Sequence, residues 1–171
     1  PAHGRTFRQF MEDGFEGHFA NLDDWDLHQT SVFPEVRVKR TIEVRGADCV
    51  PHGLALGFCA LFTGILYDGK ALDLAEELVE AFTAQGSRRE RFEEACRRGL
   101  AGETGGRRLA EWAEELAGIA QGGLESWQPE GARLLQPVTR QIGTGSSPGQ
   151  GLLDAWKDDP SPESVARYLA Y

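Results

Sequence analysis

Between Glu35 and Arg45 the chain alternates with a period of two. Val36, Val38, Ile42 and Val44 take even positions, interrupted only by Arg40, while Glu35, Arg37, Lys39, Thr41, Glu43 and Arg45 take the odd ones. Successive side chains of a strand point to opposite faces, so this run reads as one strand, or a bent pair of strands, with an apolar face and a charged face. Gly46 marks a turn after it and Asp48 sits just beyond. Two uses fit the pattern. As plain architecture it is the wet side of a half-buried antiparallel sheet whose charges cancel in pairs. As a site, charges of both signs at two-residue intervals make a surface able to hold a metal and a polyanion together.

The character changes after Asp48. Gly53 to Tyr67 is apolar all round, which reads as a buried helix, too short to span a bilayer and expected to lie under the sheet against the even-numbered valines. Leu72, Ala75, Leu78, Val79 and Phe82 form one helical stripe between Ala71 and Ala84. Leu109, Trp112, Leu116 and Ile119 form another between Arg107 and Gln121, with Gly122-Gly123 as its expected stop. Both stripes are core positions. Arg88-Arg89-Glu90-Arg91 and Arg97-Arg98 mix with acids at helical spacing and read as a solvated face. A further short helix is expected over Leu134 to Ile142. Ser147-Pro148 and Ser161-Pro162 each pair a capping serine with proline at the first helical position, opening the last two helices.

Ahead of the strand region, a mobile terminus at Pro1 leads to Thr6, which caps a short helix bringing Phe7, Phe10 and Met11 to one side until Gly14 and Gly17 end it. Asn21 to Trp25 reads as a polar turn leading to His28. The fold class expected is α+β: a short antiparallel strand region at about 31–45 packed on a mostly helical remainder. It is read as one domain over 1–171, with its strand core at 31–48 and its helical part at 53–171.

With 171 residues, 40% hydrophobic and 26% charged, the chain is long enough for one domain with a real core and has an ordinary soluble balance. Its net charge of -9 argues against a nucleic-acid partner, which needs a basic surface to replace counterions. It has no apolar run of transmembrane length, and the polar start Pro1-Ala2-His3-Gly4-Arg5 is no secretory signal, so no membrane role and a cytoplasmic location are expected. Cys49, Cys59 and Cys96 are too few and too scattered for a disulfide framework or zinc site, and Cys59 in its apolar surroundings reads as a small core residue.

Trp25, His28, Thr30, Phe33, Pro34, Glu35, Val36, Arg37, Lys39, Glu43, Arg45, Gly46, Ala47 and Asp48 resemble the signature of plant- and proteobacterial-type glutamate-cysteine ligases. Arg40 to Asp48 is also similar to the late metal-binding strand of glutamine synthetases. Gly64-Ile65-Leu66-Tyr67-Asp68 matches a further family stretch, although Gly57-Phe58-Cys59-Ala60 replaces the small-residue and proline pattern usual before it. The resemblance runs from Thr6 onward but corresponds to the C-terminal part of a family member, and so implies the C-terminal portion of a glutamine synthetase-like fold.

It also implies a chemistry, the first step of glutathione synthesis. ATP phosphorylates a carboxylate of glutamate, and the amine of cysteine attacks the acyl phosphate to give γ-glutamylcysteine. On that pattern Arg45 and Arg37 are catalytic, since a guanidinium can fork onto a phosphoryl or carboxylate group. Glu35, Lys39, Arg40, Asp48 and His28 bind substrate or ATP, though His28 equally fits an ordinary hydrogen-bonded histidine. Glu43 is the candidate ligand for Mg2+, which takes one or two carboxylates plus phosphate oxygens. An N-terminal portion of the same enzyme is the expected partner, supplying further metal carboxylates and much of the nucleotide site. The chain alone is therefore expected to be inactive. Two alternatives stand beside this: a γ-glutamyl ligase for another amine, and a non-catalytic helical interaction module. Glu43 and Arg45 argue against the second, because a scaffold needs only the valines.

Overall fold

The computed structural model describes residues 4–170, and the expectation for Pro1 falls outside them. The chain divides into two compact units between Asp48 and Cys49.

In the first unit, Thr6 accepts the N–H of Gln9 while the Gln9 side chain accepts the N–H of Thr6, and this reciprocal cap opens α1 (Phe7–Asp13). Gly14, at φ 68, ends it. The expected polar turn at Asn21–Trp25 is instead the start of α2 (Leu22–Ser31). Asn21 Oδ1 accepts the N–H of Asp24 at 3.0 Å and Asp24 Oδ2 accepts the N–H of Asn21 at 2.9 Å, so the polar residues are the cap itself.

The period-two run is the bent pair. β1 (Val36–Val38) and β2 (Ile42–Val44) run antiparallel in the register Val36 to Val44, Arg37 to Glu43 and Val38 to Ile42. Lys39, Arg40 and Thr41 make the turn, where the Lys39 N–H donates to the Thr41 carbonyl at 3.0 Å. The one break in the apolar alternation, Arg40, lies in that turn. The apolar face is not buried as expected: Val36, Val38 and Ile42 are 51%, 64% and 66% exposed. A two-stranded ribbon brings no second layer of its own to cover a face.

The second unit is mostly helical. It contains α3 (His52–Leu66), α4 (Gly69–Thr83), α5 (Arg88–Arg98), α6 (Leu109–Trp127), a 3-10 turn at Pro129–Leu135, α7 (Gln136–Gly143), α8 (Pro148–Asp158) and α9 (Pro162–Leu169). A small hairpin of β3 (Glu103–Thr104) and β4 (Arg107–Arg108) precedes α6, its two-residue turn made by Gly105 and Gly106 at φ 60 and 73. Together with the first hairpin it gives the α+β class. The core gathers Ala60 and Ile65 of α3, Ala75 of α4, Ala120 and Leu124 of α6, and Ala132 and Leu135 of the 3-10 turn.

Although apolar all round, α3 is buried on one face only, at Gly57, Ala60, Gly64 and Ile65, while Cys59 is exposed and not a core residue. Gly122-Gly123 does not stop α6, which continues to Trp127. A Cβ on Gly123 would meet the carbonyl oxygen of Gly64, and one on Gly64 that of Ala120. These glycines let two helix backbones touch, a use that a helix stop does not require. Ser147 and Ser161 cap α8 and α9 ahead of proline as expected. Ion pairs from Glu93 to Arg89 and from Glu94 to Arg98 lace α5 as a solvated face. No single helix among the described residues is long and apolar enough to cross a membrane.

Candidate functional site

The antiparallel register converts sequence spacing into contact. Arg37 and Glu43 stand directly opposite each other, and in an antiparallel pair such partners share a face at close range. Arg37 Nε donates to Glu43 Oε2 at 2.9 Å and Arg37 Nη2 lies 2.7 Å from the same oxygen. Arg45 follows directly after β2, two residues on from Glu43, with its Nε 3.9 Å from Glu43 Oε1. Its backbone N–H donates to the carbonyl of Glu35 at 2.7 Å, carrying the pairing one step past β1. The hairpin thus bears a ladder of two guanidinium groups about one carboxylate.

Electrostatics follow from that arrangement. The hydrogen bond from Arg37, with the charges of Arg37, Arg45 and Lys39, holds the Glu43 carboxyl below the ordinary carboxylate value against an opposing desolvation cost. Glu43 is therefore ionised at neutral pH. Arg45 is placed differently from Arg37. Its guanidinium carbon sits 4.9 Å from the centroid of the Phe33 ring, and its Nη1 is buried with no hydrogen-bond partner among the described residues. A buried donor without an acceptor is costly, and an anionic oxygen is the group that would relieve it. Nothing in the alternation of charges assigns Phe33 this role; a phenylalanine two residues before the alternating run was the available signal.

The other candidates separate. Lys39 and Arg40 lie in the turn and line an open cleft of about 770 Å³ together with Trp25, Asp26, Gln29 and Thr30. His28 stacks on Phe7 with ring centroids 4.6 Å apart and lies 5.8 Å from Trp25, within an aromatic cluster at the end of α2. Glu35 and Asp48 are exposed, Glu35 just before β1 and Asp48 beyond the hairpin. The described residues contain no group of three His, Cys, Asp or Glu placed to hold a metal ion. Glu43 is one hard ligand, with both oxygens turned to guanidinium groups, so the residues present do not by themselves fit Mg2+.

Taken together, the hairpin presents two guanidinium groups about one carboxylate, and guanidinium groups are the side chains suited to carboxylate and phosphoryl oxygens. Comparison with known proteins narrows that chemistry. The model of glutamate-cysteine ligase family 2 matches residues 6–168. The chloroplastic glutamate–cysteine ligase of Nicotiana tabacum is 32% identical over 156 residues, covering 90% of this chain and 30% of that protein. Those of Medicago truncatula and Arabidopsis thaliana are each 32% identical over 98% of this chain, covering 34% and 33% of their own lengths. The chain belongs to the glutamate-cysteine ligase family, as the hairpin residues led one to expect, and spans about a third of the length of the curated relatives it matches.

Proposed function

We propose that this chain supplies part of the active site of an ATP-dependent ligase that joins glutamate to cysteine through a γ-glutamyl bond. Family membership supports the reaction class, and the observation that carries the local assignment is the buried, unpartnered Nη1 of Arg45 beside the Arg37–Glu43 pair. In this reading Arg45 forks onto an anionic oxygen of glutamate or of the transferring phosphoryl group, and Arg37 holds the face positive beside it. Fixed cations on a rigid strand are the tools such a reaction needs, because phosphoryl transfer depends on positioning and electrostatic stabilisation.

Glu35, Lys39, Arg40, Asp48 and His28 belong to the same proposal as substrate- or ATP-side groups. Mg2+ enters through the resemblance alone. Glu43 is the single carboxylate the ladder offers it, and the remaining ligands belong to the rest of the ligase polypeptide, the partner proposed here. A cytoplasmic location also stays a proposal, since the plant relatives are chloroplastic by name. The acceptor amine is settled by assaying several amines in parallel.

The test is made in the complete ligase that contains this chain. Arg45→Lys keeps the charge and loses the fork, and Glu43→Gln keeps the shape and loses the charge. Each is expected to lower turnover by about 10²-fold or more while the protein stays folded. Steady-state kinetics at saturating magnesium decide it: near-parental turnover in both variants would mean that the charged face is only a wet sheet surface.

A further inference from the structure

We infer that Phe33 is a positioning residue for Arg45: its ring holds the guanidinium in place without consuming the donors that a substrate oxygen needs. The inference rests on the ligase reading and deepens it, because it adds to the site a residue that acts through Arg45. The two arginines of the ladder are held by different means. Arg37 is fixed by Glu43, to which it donates at 2.9 Å with a second guanidinium nitrogen 2.7 Å from the same oxygen, so those donors are spent. Arg45 Nε stands 3.9 Å from Glu43 Oε1, beyond hydrogen-bond reach, and that contact leaves the plane of its guanidinium undetermined. The Phe33 ring meets Arg45 instead, its centroid 4.9 Å from the guanidinium carbon. The face of an aromatic ring attracts a cation through its quadrupole and takes up no conventional N–H bond. Stacking therefore restrains the group and leaves its edge, with the unpartnered Nη1, for an anion.

The backbone keeps the ring beside the hairpin. The Arg45 N–H donates to the Glu35 carbonyl at 2.7 Å, which ties the chain just after β2 to the chain two residues past Phe33. The helix α2 ends at Ser31, and Val32 is extended at φ -100 and ψ 133. Pro34 then disfavours helical backbone at Phe33, so the helix does not run on and carry the ring away. Burial does not account for the residue. Phe33 is 74% exposed, more than Val36, Val38 or Ile42 of the hairpin. A side chain so placed adds little to a core, and its substitution leaves the fold intact. What it does hold is the guanidinium.

The test is made in the complete ligase that contains this chain, by steady-state kinetics and thermal melts of Phe33→Leu, Phe33→Tyr, Arg45→Gln and the double variant Phe33→Leu, Arg45→Gln. Phe33→Leu keeps apolar bulk and removes the ring. It is expected to lower kcat/KM by about tenfold or more, as a misplaced binding group does, while melting with the parent. The loss should fall in the same parameter, kcat or KM, as the loss from Arg45→Gln. Phe33→Tyr restores the ring face and should stay within about threefold of the parent. In the Arg45→Gln background Phe33→Leu should cost less than about twofold further, because a residue that acts through Arg45 then has nothing left to position. An equal loss in both backgrounds would mean that the ring meets the substrate itself, and overturns the inference. A drop in melting temperature with Phe33→Leu, or equal losses in Phe33→Leu and Phe33→Tyr, overturns it as well. Near-parental kinetics in Phe33→Leu beside an impaired Arg45→Gln overturns it and leaves the ligase reading standing. Near-parental kinetics in Arg45→Gln overturns both.

Discussion

Up to Asp48 the described chain buries a single residue, Gly14, and carries every candidate site residue; beyond Cys49 it buries a core and carries none of them. The difference shows how little local packing a charged hairpin needs to define a geometry. Antiparallel register alone brings Arg37 and Glu43 face to face, because the pleat fixes which side chains share a surface. The helical unit relies on close approach instead. Its fully buried large side chains are Leu124 and Leu135, set among alanines and glycines, so helices meet almost backbone to backbone.

The sharpest way to break the contrast is Gly123→Leu. Its side chain would run into the Gly64 carbonyl, and we expect a loss above about 4 kcal/mol, in the exceptional class of single substitutions. Expression and circular dichroism should find no folded protein. Gly118→Ala, on the same helix with open space around it, should instead raise the midpoint of a denaturant melt by a modest amount, consistent with a gain of roughly 0.5–1 kcal/mol. Leu135→Ala comes next, with a loss of about 2–5 kcal/mol in the same melt, since it empties a fully buried site. Ile42→Ala in the hairpin should change stability by no more than about 0.5 kcal/mol, because the side chain is 66% exposed. A loss comparable to that of Leu135→Ala would show that the apolar face is covered in solution.

The smallest effect is one of pH. Glu43 titrates below its ordinary value of 4.5 when folded, so the unfolded chain binds the proton first. The stabilisation from the ladder is therefore complete above about 4.5 and fades as pH falls through the lower, folded value. Protection of the Arg37 and Glu43 amides, their exchange corrected for its intrinsic slowing in acid, should fall over that range in the parent and show no such step in Glu43→Gln.

Much of this was legible in the residues. The period of two gave the hairpin, Thr6, Ser147 and Ser161 gave helix starts, and mixed charge gave the solvated α5, because each is a local rule obeyed locally. The failures have physical causes. Asn21 and Asp24 spell a reciprocal cap, but Leu22 and Leu27 are exposed and give α2 no apolar stripe to announce it. Gly122-Gly123 looks like a stop because its purpose, contact with Gly64, lies on another helix more than fifty positions away. Burial of the valines and of Cys59 was inferred from hydrophobicity, which says that a group prefers to be covered and not that anything covers it. At the site, the pairing of Glu43 with Arg37 needed only the register, whereas the stacking of Arg45 on Phe33 and its orphaned Nη1 depend on side-chain placement that no spacing encodes.

The contact between Gly64 and Gly123 also governs which mistakes the chain can repair. A cavity left by truncating Leu135 can be refilled by enlarging a neighbour, so second-site suppressors of that change should be recoverable in a selection for folded protein. A side chain added at Gly123 strikes a backbone carbonyl, and no substitution makes a carbonyl smaller. Revertants at that codon should restore glycine, and the pair would be inherited together as a single irreplaceable joint.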